Sequence, residues 1–305
     1  MKAQQSLKSL AASLLALASL NVSPALASTG KLVLTGGIST IEGAGGGGLT
    51  PWAMIGTQAT ENEIGVAANL SYGRTNDYRL ETKSVMLGWN ERVELSLGQQ
   101  SFDTGITGRA LVGPQGVDLE QTIIGAKVRL FGDAILDADR LMPAVSVGVQ
   151  HKRLDAGDLA PILRGLNAST SGTDFYVAAT KLFLKQGVLV NGTLRATKAN
   201  QNGLLGFGGN NNTSYELMPE FSVAKMLRDN LAIGAEYRFM PNNLKLDTPN
   251  GNGLAADDWK DIFVVWAPSK NLSLTAAYVD LGRIVPATTN GRDQTGFYLS
   301  AQLAF

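Results

Sequence analysis

The sequence predicts an all-β fold: a single transmembrane antiparallel up-and-down β-barrel of about fourteen strands. Three observations carry this prediction: an N-terminal export signal, a recurring alternation of apolar and polar residues, and a last segment that alternates up to its terminal Phe305. Successive side chains of a strand face opposite sides of the sheet, so each such segment has one apolar and one mostly polar face. About 9–11 residues is the length of a tilted strand that crosses a bilayer.

The N-terminus has the pattern of a signal peptide. Lys2 and Lys8 form a short positive region, residues 10–20 are apolar, and Ala25-Leu26-Ala27 matches a signal-peptidase site. The alternative is a membrane anchor, but the apolar run is shorter than the roughly 20 residues that a membrane-spanning helix needs. We therefore predict a signal peptide over 1–27 and a barrel over 28–305.

Strands of the predicted barrel follow from the period-2 pattern. In one example, Leu231, Ile233 and Ala235 alternate with Gly234 and Glu236. Thirteen segments are clear, and 30–38 is added before them because an exported chain begins on the periplasmic side and single-chain bacterial barrels have an even strand count. The predicted strands are 30–38, 52–60, 63–73, 78–89, 92–102, 119–131, 142–153, 173–184, 188–199, 214–226, 230–239, 258–267, 271–281 and 295–305. Twelve strands is the alternative, if the first two segments fold inside or merge.

The connections alternate between tight turns and longer polar links. The longer links are predicted near 103–118, 154–171, 200–212, 241–256 and 283–293. Short periplasmic turns and long outer loops are typical of outer-membrane barrels. A final strand that ends on an aromatic residue resembles the signal that such barrels present to the barrel-assembly machinery.

Composition excludes several other classes. After residue 27 no apolar run approaches the length of a transmembrane helix, and a chain without cysteine cannot be a disulfide-stapled fold. A formal net charge of +0 gives no basic surface for nucleic acid. A β-sandwich is the soluble alternative, but its strands average five or six residues and its outer face is usually rich in charge, whereas only 17% of this chain is charged.

Several glycine-rich and aromatic stretches, spread over the mature chain, resemble the bacterial family catalogued as domain of unknown function 3034. The resemblance implies an exported barrel-like protein of a Gram-negative bacterium, in the outer membrane, and no activity that can be carried over. The stretches are 34–37 (LTGG), 41–53 (IEGAGGGGLTPWA), 172–183 (GTDFYVAATKLF), 190–197 (VNGTLRAT), 203–209 (GLLGFGG) and 277–282 (AYVDLG).

Charged residues on the polar faces are predicted to line the lumen. An Arg or Lys that faces lipid at the midplane costs roughly 2–4 kcal/mol, so these side chains belong inside. The candidates are Glu94, Lys127, Arg129, Lys152, Lys181, Arg195, Glu216, Glu220, Glu236, Arg238 and Asp261. Their signs are nearly balanced, so they either cross-pair or line a water-filled channel of weak ion selectivity.

The glycine run after Glu42 is the second candidate site. It lacks the Lys-Ser/Thr end of a phosphate-binding loop, and we favour a flexible outer loop. The alternative is a constriction or plug inside the lumen, formed by Glu42, Gly45, Gly46, Gly47 and Gly48, which would bring a carboxylate into the pore.

Catalysis and metal binding are not expected. The single histidine, His151, follows Val147 and Val149 on the lipid side of its strand, near the headgroups and lipopolysaccharide, and a lone histidine without cysteine makes a poor zinc site. We therefore predict no enzyme activity, no catalytic residue, no metal and no cofactor.

The sequence favours a porin-like barrel that passes small solutes by diffusion or facilitated transport. The alternatives are a closed barrel with a structural or adhesive role, and a transporter of hydrophobic compounds in which the glycine-rich segment is the plug. Expected partners are outer-membrane lipid, lipopolysaccharide, the assembly machinery and small solutes. A long constriction loop of the kind usual in trimeric porins is not evident, so we expect a monomer.

Overall fold

A computed structural model describes residue 34, residues 37–134 and residues 141–305. Within these residues, twelve long strands form one closed barrel in which each strand pairs antiparallel with its sequence neighbours and the last pairs with the first. They are β1 Ile64–Thr75, β2 Arg79–Trp89, β3 Val93–Asp103, β4 Asp118–Phe131, β5 Ala144–Asp155, β6 Ser171–Phe183, β7 Val188–Thr197, β8 Glu216–Arg228, β9 Leu231–Arg238, β10 Trp259–Trp266, β11 Leu272–Asp280 and β12 Thr295–Ala304.

Short elements occupy the ends of the barrel. Helices α1 Gly105–Val112, α2 Ala160–Gly165 and α3 Pro286–Thr289 lie in long links, as does a 3-10 turn at Asn200–Gly203. Two-residue strands pair Ile38–Ser39 with Gly45–Gly46, and Asp247–Thr248 with Gly251–Asn252. Among the described residues, no helix has both the length and the apolar character needed to cross a membrane.

The strand count corrects the prediction of fourteen; twelve, the alternative, is what the barrel has. The segment predicted as a strand at 52–60 lies inside the barrel, where Trp52, Ala53 and Met54 all belong to an apolar cluster of the lumen. Of the segment predicted at 30–38, only residues 34, 37 and 38 are described, and Ile38 belongs to the short inner pair. The predicted signal peptide lies outside the described residues and stays a prediction.

The exterior of the barrel is apolar and carries aromatic side chains at both ends. Exposed Trp89, Phe131, Phe183 and Trp266 mark the short-turn end, where β2, β4, β6 and β10 finish. The long-loop end carries exposed Phe175, Tyr215, Tyr237, Phe239, Tyr278 and Phe297. An apolar band flanked by two aromatic girdles is the surface typical of a transmembrane β-barrel, in which the long loops face outward. The chain is therefore a β-barrel of the bacterial outer membrane.

Candidate functional site

A segment of the chain fills the lumen of the barrel. Every residue from 38 to 57 is buried, and we call this segment the plug. Its core is the two-strand pair at Ile38–Ser39 and Gly45–Gly46, extended by backbone hydrogen bonds such as that from the Trp52 amide to the Gly45 carbonyl at 3.1 Å. The prediction of a flexible outer loop at the glycine run is therefore wrong, and the plug alternative is what the structure has.

Glu42 is the centre of a buried cluster of six charged side chains. Its carboxylate pairs with Lys152, with Arg195 at 3.1 Å and with Arg238 at 3.0 Å. Two further carboxylates complete the cluster. Asp174 lies 2.8 Å from Lys152, and Glu220 lies 2.5 Å from Arg195. Three cations thus face three anions, all with side chains at most 3% exposed, and the set is neutral as a whole.

A second ion pair clamps the plug closer to the short-turn end. Lys127 lies 3.0 Å from Glu94, and both side chains are 1% exposed. The Glu94 carboxylate accepts hydrogen bonds from the Gly45 and Gly56 amides, while Lys127 donates to the Gly45 and Trp52 carbonyls. One ion pair therefore supplies hydrogen-bond partners to four backbone groups of the plug that no regular sheet would otherwise pair.

Another wall carboxylate, that of Glu236, holds the turn of the plug. It accepts hydrogen bonds from the Leu49 amide at 2.7 Å and the Thr50 amide at 3.2 Å. A Cβ at Gly47 would lie 2.1 Å from Oε1 of Glu236, and one at Gly45 would lie 2.7 Å from Oε2 of Glu94. The glycine run is thus explained by close approach of backbone to wall carboxylates.

An outer loop reaches down onto the charge cluster. The side-chain oxygen of Asn202 accepts hydrogen bonds from Lys152 at 2.9 Å and from Arg238 at 3.1 Å. Gln201 and Asn202 both have positive φ, at 46° and 63°, in a region where asparagine is better tolerated than most residues. This loop closes the charged part of the lumen from above.

The structure divides the predicted lumen residues into three groups. Buried inward-facing residues in contact with or next to the plug are Glu94, Lys127, Lys152, Arg195, Glu220, Glu236, Arg238 and Asp261. Arg129 and Glu216 face inward at opposite ends of the barrel, where Arg129 pairs with Glu91 and Asp133, and Glu216 accepts a bond from Asn212. Lys181 is buried near the short-turn end of β6, but it stands opposite the lipid-facing Val190 and outside the cluster.

Sequence reasoning missed Asp174, Gln150 and Asn202. Asp174 alternates in phase with Tyr176 and Ala178, which are buried inside, so strand parity would have placed it in the lumen. Gln150, on β5 with Lys152, accepts a 2.7 Å bond from Arg195. The sequence carries no signal for Asn202, because the inward path of its loop depends on the cations beneath it.

The residues considered for catalysis and metal binding are unremarkable in position. His151 is exposed on the outer surface, with Nδ1 2.9 Å from the Thr173 hydroxyl. In the part of the chain that the structure describes, no group of three or more His, Asp or Glu side chains is placed to hold a metal ion.

Two apolar cavities flank the plug. The outer one, about 60 Å³, lies under the long loops between Ile41 and Leu49 of the plug and wall residues such as Leu80, Trp259 and Val279. The inner one, about 40 Å³, lies toward the short turns between Ile38, Trp52 and Met54 of the plug and wall residues such as Phe263 and Val265. Strand β10 lines both cavities, and its inward Asp261 stands between them.

Comparison with known proteins places the chain in a family. The model of the family described as "Protein of unknown function (DUF3034)" matches residues 35–302, so the chain belongs to that family. No curated protein matches the chain.

Several solved structures are similar to the chain at low identity. A structure titled "KdgM porin" is 8% identical and covers 78% of this chain and 99% of its own, with a TM-score of 0.48. The "NanC porin" structure has the same score and identity and covers 79% of this chain and 100% of its own. Outer membrane phospholipase A from Escherichia coli is 10% identical and covers 78% and 92%, at a TM-score of 0.43. At these values the likeness says nothing about activity.

Proposed function

We propose that the protein is a plugged outer-membrane conduit that admits small hydrophobic molecules and releases them toward the periplasm when the plug shifts. The observation that carries this proposal is the pair of apolar cavities, one on each side of the plug and both lined by β10. At about 3.3 Å per strand residue, Trp259 in the outer cavity and Phe263 in the inner one are separated by about 13 Å along the wall.

The plug argues against a permanently open pore. Lys127, Arg195 and Arg238, which were expected to line a water-filled channel, are instead paired with carboxylates of the wall and of the plug. A static channel for ions would instead present its charges to water. The porin-like role is thus proposed in a gated form.

The cavities are small, and this also favours a gate. An engineered apolar cavity of about 150 Å³ binds benzene, and both cavities here are smaller. A hydrophobic molecule of ordinary size enters only if side chains or the plug move. Apolar lining is the property that selects it, since an ion would lose its hydration without compensation.

Uptake of a hydrophobic fluorescent dye by intact cells tests the proposal. N-phenyl-1-naphthylamine brightens in an apolar interior, and cells that express the protein should take it up faster than cells without it. Val279→Trp, which fills the outer cavity, should reduce that uptake. Val264→Trp, the same change on the lipid-facing side of β10, is the matched control and should leave it unchanged.

Two results would contradict the proposal. One is equal dye uptake with and without the protein, when heat-modifiable migration on gels shows that the barrel is folded. The other is large, steady conductance of the wild-type protein in planar bilayers, which would show that the plug does not close the lumen.

A further inference from the structure

We infer that the transported molecule leaves the outer cavity between the plug and one particular part of the wall, formed by β11, β12, β1 and β2, and that this molecule is uncharged with a hydrogen-bonding group. We call these four strands the uncharged wall, and strands β3 to β9 the charged wall. The inference rests on the proposed function and names the first part of its path and its class of substrate.

The plug is fastened to the charged wall by polar contacts on every strand. Glu94 of β3, Lys127 of β4 and Lys152 of β5 supply three of the attachments described above. The remaining strands contribute Thr180 of β6 to the Ala53 amide, Thr193 of β7 to the Pro51 carbonyl, Ser222 of β8 to the Trp52 indole, and Glu236 of β9 to the Leu49 amide. Moving the plug off this wall would break all of these contacts together.

The uncharged wall has a different character. None of the inward-facing residues that the structure describes on its four strands is charged. Gln302 of β12 accepts bonds from the amide and hydroxyl of Ser39, at 2.6 and 2.8 Å. Apolar packing dominates elsewhere, as where Tyr298 and Val279 join the cluster that contains Ile41 and Leu49. Separation along this side costs fewer polar contacts and exposes no buried ion.

Several polar side chains of the uncharged wall point into the lumen without a hydrogen-bond partner. Among them are Asn69, Thr82, Ser84 and Thr275, each at most 5% exposed. Asn69 is paired directly with Ser84 across β1 and β2. In the next row of the sheet, Thr82 is paired with Ser71, Ser71 with Ser300, and Ser300 with Thr275 on successive neighbouring strands. Buried polar groups are nearly always satisfied, so a row of unsatisfied ones points to partners in another state of the site.

The row lies directly below the outer cavity. Gly73 and Leu80 line that cavity, and Ser71 and Thr82 are the next inward-facing residues along β1 and β2. A molecule that leaves the cavity along this wall meets hydroxyl and amide groups but no ion. It would therefore carry an apolar body and an uncharged group such as a hydroxyl or a carbonyl, and a charged molecule would find no counter-ion there.

Two engineered disulfides test the path, because the natural chain has no cysteine. Thr57→Cys with Gly88→Cys ties the plug to the uncharged wall: a Cβ at Gly88 would lie 2.3 Å from Oγ1 of Thr57. Thr50→Cys with Ser222→Cys ties it to the charged wall, where the two hydroxyl oxygens are 3.1 Å apart. Both pairs reach disulfide distance with a small shift.

Uptake of 1-naphthol is then measured in oxidised and reduced cells. The first disulfide should abolish uptake, with recovery on reduction, and the second variant should take up the same amount in oxidised and in reduced cells. Loss with the second disulfide alone, or with both, would show that the plug leaves the charged wall and would overturn the inferred path while the proposed function stands. Uptake unaffected by either disulfide would also overturn it. Failure of the wild-type protein to take up 1-naphthol above background would instead count against the proposed function.

A second set of variants tests the substrate class without constraining the plug. Thr82→Val with Thr275→Val removes two hydroxyls at nearly constant volume and should lower the uptake of 1-naphthol relative to naphthalene. Thr122→Val on the exposed face of β4 is the control. An unchanged ratio of naphthol to naphthalene uptake would contradict the role of the polar row.

Discussion

The charged wall and the uncharged wall face the same plug across one lumen, but they hold it in different ways. On the charged wall, Arg195 pairs with Glu42 of the plug, Glu94 pairs with Lys127, and each strand makes a polar bond to the plug. On the uncharged wall, Asn69 and Thr82 are buried polar residues without partners. A plug can therefore stay attached to one wall while it separates from the other, so a gate can open without the whole plug leaving the lumen.

The energetics of buried ions explain why the fixed side is the charged one. Several kcal/mol are needed to remove each ion from water, and only close pairing offsets that cost. Pulling Glu42 away would leave three buried cations without their shared anion. The charged wall is therefore an all-or-none attachment, whereas apolar and neutral polar contacts can separate in steps.

Loss of the central carboxylate should have the largest effect. Glu42→Ala leaves Lys152, Arg195 and Arg238 short of one anion, and breaking a buried pair in this way costs about 3–5 kcal/mol. We expect a lower temperature for the loss of heat-modifiable migration, and conductance steps in planar bilayers. Glu216→Ala, at the outer end of β8, is the control. Equal stability of the two variants would contradict the fixed attachment.

Crowding the contact between plug and charged wall should come next. Gly47→Ala would place a methyl group 2.1 Å from Glu236, and overpacking of this kind costs about 1–3 kcal/mol. Gly192→Ala is a matched control, because nothing lies within 4 Å of the added Cβ. Thermal unfolding of the two variants gives the comparison, and a Gly47→Ala protein as stable as Gly192→Ala would show that the plug is loosely held there.

Hydroxyl removal compares the two walls directly. Thr180→Val on the charged wall leaves the Ala53 amide and the side-chain oxygen of Asn191 without a partner and should cost about 1–3 kcal/mol. Thr275→Val on the uncharged wall removes an oxygen that bonds nothing and should be neutral or slightly stabilising. Thermal unfolding measures both. Similar losses at the two positions would remove the distinction between the walls.

The smallest effect is expected outside both walls, at the outer rim. Hydrogen bonding from Arg283 holds the pKa of Asp257 below its ordinary value, against the opposing effect of partial burial. A depressed pKa means that this pair contributes stability above the ordinary carboxyl pKa of about 3.9 and loses it as pH falls further. The protection of residues 281–284 against amide exchange, taken relative to the intrinsic exchange rate at each pH, should therefore fall at acidic pH, while that of the plug does not. Asp257→Asn should remove the pH dependence, and its persistence would assign the effect to another group.

Sequence reasoning predicted the barrel because strand alternation is a local property. Residues such as Ile233 and Glu236 reveal their faces within a few positions. The count was too high because the apolar residues Trp52 and Met54 of the plug were assigned to a strand, and a sequence pattern does not distinguish a lumen from a lipid surface. The partners of Glu42, which come from β5, β7 and β9, depend on barrel closure, which is a long-range property.

Hydrogen exchange of the detergent-solubilised barrel, followed by mass spectrometry, tests the central claim most directly. If residues 38–57 fill the lumen and are fastened to the charged wall, their peptides should exchange as slowly as those of β5 to β7 in the wild-type protein. Exchange of that segment as fast as the exposed turn at 249–251 would show that the plug is not held inside the barrel, and would contradict the account.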